Sequence, residues 1–305
     1  MSFDVPWRDD AVALFPGQGS IASGAGRAWT ASPHWSLVAQ ISDVTGTDVA
    51  HLLLDASDKD VIRTDHAQLA TFALSLVGYH DLLALGWRPR YHLGHSLGEF
   101  SALTAAGVLT LDDGARLIAV RGAAMAEAAR AAAGAMIALL GGDEAARARV
   151  EQRPDIYVAN VNGTGQLVVS GELAALDALV GDARDLGFKR ATRLPIGGAF
   201  HSPLMAPAQG ALDAQLARTP WHPSDAIVVA NVDGRIHPAA DWSGLLSRQL
   251  TSPIEFLAAT TALPDGVTAS VEMPPGAVLT GLTRRIRPFA TQVALTEPGE
   301  LGALA

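Results

Sequence analysis

The sequence predicts an α/β protein with a mostly parallel sheet, and three observations predict it. Short apolar runs alternate with helical periodicity through the first third of the chain, the order expected when strands are joined by crossover helices. A second block, residues 130–198, runs β-α-β-β-α-β, the ferredoxin-like order. Of the 305 residues, 49% are hydrophobic and 17% charged, which supplies a substantial core.

Taken in order, "AVALFPGQGS" is a strand running into a Gly-rich turn, and apolar residues at helical spacing predict a helix over Ala67–Trp87. "RYHLG" reads as a short strand and "LGEFSALTAAG" as a helix stopped at Gly107. Thr110 and Asp113 stand at capping-box spacing and open a long Ala-rich helix. The second block then gives "AMIALLG" (strand), "DEAARARVEQR" (helix), "IYVANVNG" and "QLVVSGE" (strands), "LAALDALVGDARDLG" (helix) and "KRATRLPI" (strand). Beyond it, "IVVANV" and "ASVEM" read as strands and "AVLTGLTRRIRPF" as a late helix. The expected organisation is a large domain of residues 1–129 and 199–305 with residues 130–198 inserted as a small subdomain.

Charge and composition exclude several function classes. A formal net charge of -9 disfavours nucleic acid and anionic membrane surfaces, and an acidic partner would need a local basic patch. With no cysteine, disulfides, zinc-thiolate sites and thiol nucleophiles are ruled out. Any nucleophile is an oxygen or a nitrogen. "MSFDVPWRDD" carries no apolar signal segment and no run is long enough to span a bilayer, so a cytoplasmic protein is expected.

The candidate nucleophile is Ser96 in "YHLGHSLGEFSAL", where Gly94-x-Ser96-x-Gly98 sits between a strand and a helix. A nucleophile elbow needs that strand, a turn too tight for side chains, and a helix whose N-terminal dipole favours an oxyanion. The other reading is a serine in an ordinary glycine-rich turn; the flanking elements favour the nucleophile. A serine hydroxyl needs a base. Of nine histidines, His201 in "LPIGGAFHSPLM" follows a strand and two glycines at the return from the insert and stands first. His95 reads as a packing residue, and His34, His51, His66, His80, His92, His222 and His237 as surface or structural ones. Arg121 shares a helical face with Leu117, Ile118, Ala124 and Met125, so its guanidinium should meet an anion: either a structural ion-pair partner or a substrate.

A run of collinear motifs adds to this reading. "FPGQGS", "AQLATFA", "GHSLGEFSAL", "VRGAAM", "VNGTGQLVVSG", "GAFHSPLM", "NVDG", "RQLTSPIEF" and "PPGAVLTGL" resemble, in order, the motifs of malonyl-CoA:acyl carrier protein transacylases and of polyketide synthase acyltransferases. The resemblance implies an α/β-hydrolase-like large domain with a ferredoxin-like insert. It implies Ser96 as nucleophile, His201 as general base oriented by the Gln249 main-chain carbonyl, and an oxyanion hole from the main-chain N–H groups of Gln18 and Leu97. On pattern alone Gln18 also fits a plain turn. Arg121 would fork onto the free carboxylate of a malonyl group, with Phe200 and Asn162 lining the substrate site, although for Asn162 the Asn-Gly turn is the stronger reading. Leu97 and Phe200 resemble the malonyl pattern, whereas Gly198 departs from the histidine often found there in synthase domains; a smaller residue there could widen the pocket and leaves a larger acyl group open.

The implied partners are malonyl-CoA or a related acyl-CoA and an acidic acyl carrier protein, with no metal or redox cofactor, coenzyme A entering only as a thioester substrate. A monomer is expected. "TRRIRP" (Arg284, Arg285, Arg287) and "FKRATR" (Lys189, Arg190, Arg193) are candidate landing sites for the carrier, or simply solvated surface. Alternatives are a transferase for another acyl group, a carrier-protein thioester hydrolase, and a non-catalytic carrier-binding subunit. A hydrolase would not need a carboxylate clamp, so Arg121 favours transfer of a dicarboxylic acyl unit.

Overall fold

The computed structural model describes residues 5–237 and 241–304. Nine strands occur among them: β1 (Arg8–Phe15), β2 (Pro89–Gly94), β3 (Gly134–Leu140), β4 (Ile156–Gly163), β5 (Gln166–Glu172), β6 (Arg190–Arg193), β7 (Ile227–Val228), β8 (Ala269–Glu272) and β9 (Thr291–Ala294). The helices are α1 (Ser36–Thr45), α2 (Val49–Leu54), α3 (Asp58–Val61), α4 (Thr64–Ala84), α5 (Leu97–Ala105), α6 (Leu111–Ala131), α7 (Glu144–Glu151), α8 (Leu173–Asp182), α9 (Ala206–Leu216), α10 (Trp242–Gln249), α11 (Phe256–Thr261) and α12 (Val278–Ile286). None of them is long and apolar enough to cross a membrane.

Two sheets organise the chain. One has the order β7-β2-β1-β8-β9 with every pairing parallel. Its central strand β1 is buried on both faces over Ala11–Phe15, as a parallel strand covered by helices must be. The other sheet has the order β4-β5-β3-β6, wholly antiparallel, and with α7 and α8 it reproduces the ferredoxin-like topology read from the sequence.

The long helices follow their sequence signals closely. Thr110 caps α6 by accepting from the Asp113 N–H at 3.1 Å, and donates its own hydroxyl to the Asp113 carboxylate at 2.6 Å. Helix α4 starts three residues before the expected position and is buried nearly throughout, with Phe72, Leu74, Val77 and Tyr79 in the core.

"IVVANV" departs from expectation, because only Ile227 and Val228 are strand. The reason is local: Val229 still donates to the His92 carbonyl at 3.1 Å, but Asn231 two residues later turns into the corner after β2 and leaves the sheet. β9 and the helices α9, α10 and α11 had no sequence reading.

The two sheets are tied at one place that matters for the site. Ile254 donates to the Ala159 carbonyl at 2.8 Å and accepts from the Val161 N–H at 2.9 Å, so the open edge of β4 is covered by the segment that follows α10. Ser170 of β5 donates to the Phe200 carbonyl, fixing the return from the insert beside His201.

Candidate active site

Ser96 lies between the end of β2 and the first residue of α5, with φ 56° and ψ -113°, a conformation that costs a non-glycine residue of order 1–3 kcal/mol. The neighbours enforce it. A β-carbon on Gly98 would stand 2.1 Å from the Phe15 carbonyl oxygen, and one on Gly94 would stand 2.1 Å from the Gly98 carbonyl carbon. Strand β1, the turn and α5 are therefore in backbone contact, which only glycine allows. Asn231 clamps the same turn: its Oδ1 accepts from the Ser96 N–H at 2.8 Å and its Nδ2 donates to the Gly94 carbonyl at 2.8 Å.

His201 reaches this corner from the far side of the insert. Its Nε2 is 2.7 Å from Ser96 Oγ, and its Nδ1 is 2.9 Å from the Gln249 carbonyl oxygen. A carbonyl only accepts, so Nδ1 carries the proton and Nε2 is left to accept the serine hydroxyl. Burial, together with the Arg121 charge, pushes the His201 pKa down to about 3, so the imidazole is neutral in ordinary buffers. Like Ser96, His201 is held at a positive φ of 56°.

Arg121 occupies the other side of the serine. It is 1% exposed and donates through Nη2 to Ser96 Oγ (3.1 Å) and Gln249 Oε1 (2.9 Å), and through Nη1 to Gln68 Oε1 (2.6 Å). All three acceptors are neutral, and Nε has no partner among the described residues. Burial lowers the guanidinium pKa to about 9, with Glu99 opposing the shift. The expected structural ion pair is thus absent as a direct contact.

Gln249 does more than lend its carbonyl. Its side chain also donates through Nε2 to the Ser96 carbonyl (2.9 Å) and to Glu99 Oε2 (2.6 Å). Glu99 is buried, and its other oxygen accepts from the Asn231 N–H at 2.9 Å. Burial raises its pKa to about 7 against those hydrogen bonds. Sequence reasoning missed Glu99, Asn231, Gln68 and the Gln249 side chain.

The other expected site residues lie as follows. Gln18 opens a single 3-10 turn and Leu97 opens α5, and among the described residues neither main-chain N–H has an acceptor. Asn162 Oδ1 accepts from His95 Nε2 at 2.9 Å, and Asn162 is 8% exposed, so His95 is a hydrogen-bonded neighbour of the elbow as well as a packing residue against Phe256. Phe200 is buried. A β-carbon on Gly198 would stand 2.6 Å from the Phe200 ring and 2.9 Å from Ala129 Cβ. The space a larger residue at 198 would take is filled by the Phe200 ring.

The basic clusters separate. Arg284 and Arg285 are exposed at the end of α12, and Lys189 and Arg190 are exposed at the start of β6. Arg287 is committed elsewhere, donating to the carbonyls of Leu263, Pro264 and Val267, and Arg193 pairs with Asp177. A cleft of about 240 Å³ opens on His201 between Ile156–Val158 and the segment holding Thr251 and Pro253.

Comparison with known proteins gives a consistent result. The acyl transferase domain family matches residues 12–292. The malonyl CoA-acyl carrier protein transacylase of Bacillus subtilis is 34% identical over 294 residues, covering 93% of each chain. Its counterpart in Escherichia coli K12 is 34% identical over 301 residues, covering 95% of this chain and 97% of its own. Among solved structures, the Xanthomonas oryzae malonyl-CoA:acyl carrier protein transacylase superposes with a TM-score of 0.90 at 33% identity, covering 97% and 98% of the two chains. A malonyl-transacylase solved with a type II polyketide synthase acyl carrier protein reaches the same TM-score at 32% identity, covering 96% of this chain and 98% of its own.

Proposed function

The chain belongs to the acyl transferase domain family, and from that premise we propose that it moves a malonyl group from coenzyme A to the phosphopantetheine thiol of an acyl carrier protein. The observation that carries the reading is Ser96 Oγ held between a neutral imidazole at 2.7 Å and a buried guanidinium at 3.1 Å. A base on one side activates the hydroxyl, and a cation on the other receives a substrate carboxylate.

In the first half-reaction Ser96 Oγ attacks the thioester carbonyl while His201 Nε2 takes the hydroxyl proton. The oxyanion points at the Gln18 and Leu97 main-chain N–H groups. As the C–S bond breaks, His201 returns the proton to the departing coenzyme A thiolate. In the second half the carrier's pantetheine thiol gives its proton to His201, attacks the malonyl-serine ester, and Ser96 leaves as its hydroxyl. The sequence of events is ping-pong, and one histidine serves both halves.

Arg121 gives the acyl selectivity. Its Nε and Nη2 form the side-on edge that Arg8 uses to grip Asp10 at 3.1 and 2.9 Å, and a malonyl carboxylate that takes the Nη2 hydrogen now donated to Ser96 Oγ, together with the unpaired Nε–H, is held bidentately. Phe200, filling the space beside Gly198, keeps the acyl pocket small and favours malonyl over branched or longer units. The reaction belongs in the cytoplasm, and the reading fits a fatty acid or polyketide carrier equally.

The test is acylation of the Ser96 peptide by a panel of acyl-CoA thioesters, read by mass. Malonyl labelling should fall by about 10²-fold or more in Arg121→Ala, the scale of a lost charge-assisted hydrogen bond, while acetyl labelling persists. Equal labelling of the unmodified protein by acetyl and malonyl would sink the assignment.

A further inference from the structure

We propose that Glu99 is a positioning residue of this site, acting through the side-chain amide of Gln249 to hold Arg121 at the nucleophile and so to set the preference for a carboxylate-bearing acyl group. The inference rests on the malonyl-transfer reading and adds a residue and a route to it.

Every partner of Glu99 leads to the reacting groups. Its Oε1 accepts from the Asn231 N–H, and the Asn231 side chain holds both the Ser96 N–H and the Gly94 carbonyl. Its Oε2 accepts from Gln249 Nε2 at 2.6 Å. That bond fixes which end of the Gln249 amide faces where. With Nε2 shared between Glu99 and the Ser96 carbonyl, Oε1 has to face Arg121 Nη2, which it meets at 2.9 Å. Arg121 Nη2 is thereby kept within 3.1 Å of Ser96 Oγ.

The chemistry of the two partners explains why a carboxylate is needed. Both the Asn231 N–H and the Gln249 amide are donors, so position 99 must accept twice, and only an ionised carboxylate of this length does so. An amide accepts at one end and donates at the other. In Glu99→Gln the oxygen goes to the main-chain N–H of Asn231, which cannot turn, and the new NH₂ meets the NH₂ of Gln249. Gln249 relieves the clash by turning over, which aims its own NH₂ at the guanidinium and releases Arg121 from the serine. Glu99 also carries the negative charge nearest this buried cation, so the same substitution removes its electrostatic balance.

Arg121 meets a substrate carboxylate only where the acyl group carries one, while its contact with Ser96 is common to all acyl groups, so the readout is a ratio. Rates of Ser96 acylation by malonyl-CoA and acetyl-CoA are compared for the native protein, Glu99→Gln, Gln249→Met and the double variant. Gln249→Met keeps the carbonyl that orients His201 and removes the amide.

Each single variant should lower the malonyl-to-acetyl ratio by about tenfold or more, and the double variant should be no worse than the weaker single, because both break one route. A parallel fall in both rates that tracks lost thermal stability, an unchanged ratio, or additive effects would each overturn the proposal. If Glu99→Gln does not fold, the Gln249→Met ratio decides alone. A native protein that labels equally with both thioesters refutes the transfer reading itself, whereas a selective native protein with selective variants refutes only the role of Glu99.

Discussion

At the scale of single residues, the site depends on which nitrogen of His201 holds the proton. The Gln249 carbonyl imposes the Nδ1–H form, and burial beside Arg121 holds the pKa near 3 against an ordinary 6.5. The folded-state value is depressed, so the stability this histidine contributes is complete above pH 6.5 and drains away as pH falls toward 3. Nuclear magnetic resonance of the His201 ring should therefore show the neutral Nδ1–H tautomer unchanged from pH 8 to about pH 5; a midpoint near 6.5 would contradict the buried geometry. Ser96, His201 and Arg121 were legible in the sequence because each sits in a local pattern: a glycine-flanked turn, a glycine-rich return, a charge on an apolar helical face. Glu99, Asn231 and Gln68 were not. Their functions come from bonds to residues 53 to 150 positions away, and a buried glutamate inside "GHSLGEFSAL" looks like any helix residue until Gln249 is found beside it.

At the scale of elements, the corner between β2 and α5 is where local rules and tertiary packing meet. Its glycines are required by backbone contact, Gly98 with β1 and Gly94 across the turn with the start of α5. Gly98→Ala places a methyl carbon 2.1 Å from the Phe15 carbonyl oxygen, and no side-chain rotation relieves a clash with main chain. The variant should lose several kcal/mol, on the scale of the severe backbone and overpacking mutations, and purify with a much lower thermal midpoint or not at all. Gly107→Ala is the control. Nothing lies within 4 Å of its β-carbon, so only the positive φ of 76° opposes the change, at about 1 kcal/mol. If Gly98→Ala proved as mild as Gly107→Ala, the tight elbow would be disproved. Helix α6 was readable from its cap and α12 from its apolar face, while α4 and α5 were readable as apolar stretches whose ends the sequence marks. α10, α11 and β9 are short, and α9 is weakly amphipathic with no side-chain cap, so local signals mark them only weakly.

At the scale of the whole molecule, the proposed transfer asks a chain of net charge -9 to offer a basic patch to an acidic carrier. The insert was legible from the order of its elements, yet nothing in that order says which arginines are free. Arg287 looked equivalent to Arg284 and Arg285 but staples the Leu263–Val267 loop to the end of α12. Arg284 and Arg285 remain exposed on the helix that packs against β4, close to the Ile286–Gly163 contact and so to the hairpin carrying Asn162. A charge-reversed Arg284→Glu/Arg285→Glu variant should raise the KM for the carrier several-fold at low salt. That difference should shrink above physiological ionic strength, where screening shortens the reach of exposed charges to below about 8 Å. Loading of Ser96 from a malonyl thioester lacking phosphates should not change, because these side chains do not reach the acyl pocket. Arg287→Ala should do the opposite, lowering thermal stability through its lost carbonyl bonds while leaving the carrier KM alone. A carrier KM that ignores both salt and the charge reversal would move the landing site elsewhere, with the exposed Lys189 and Arg190 at the start of β6 next in line.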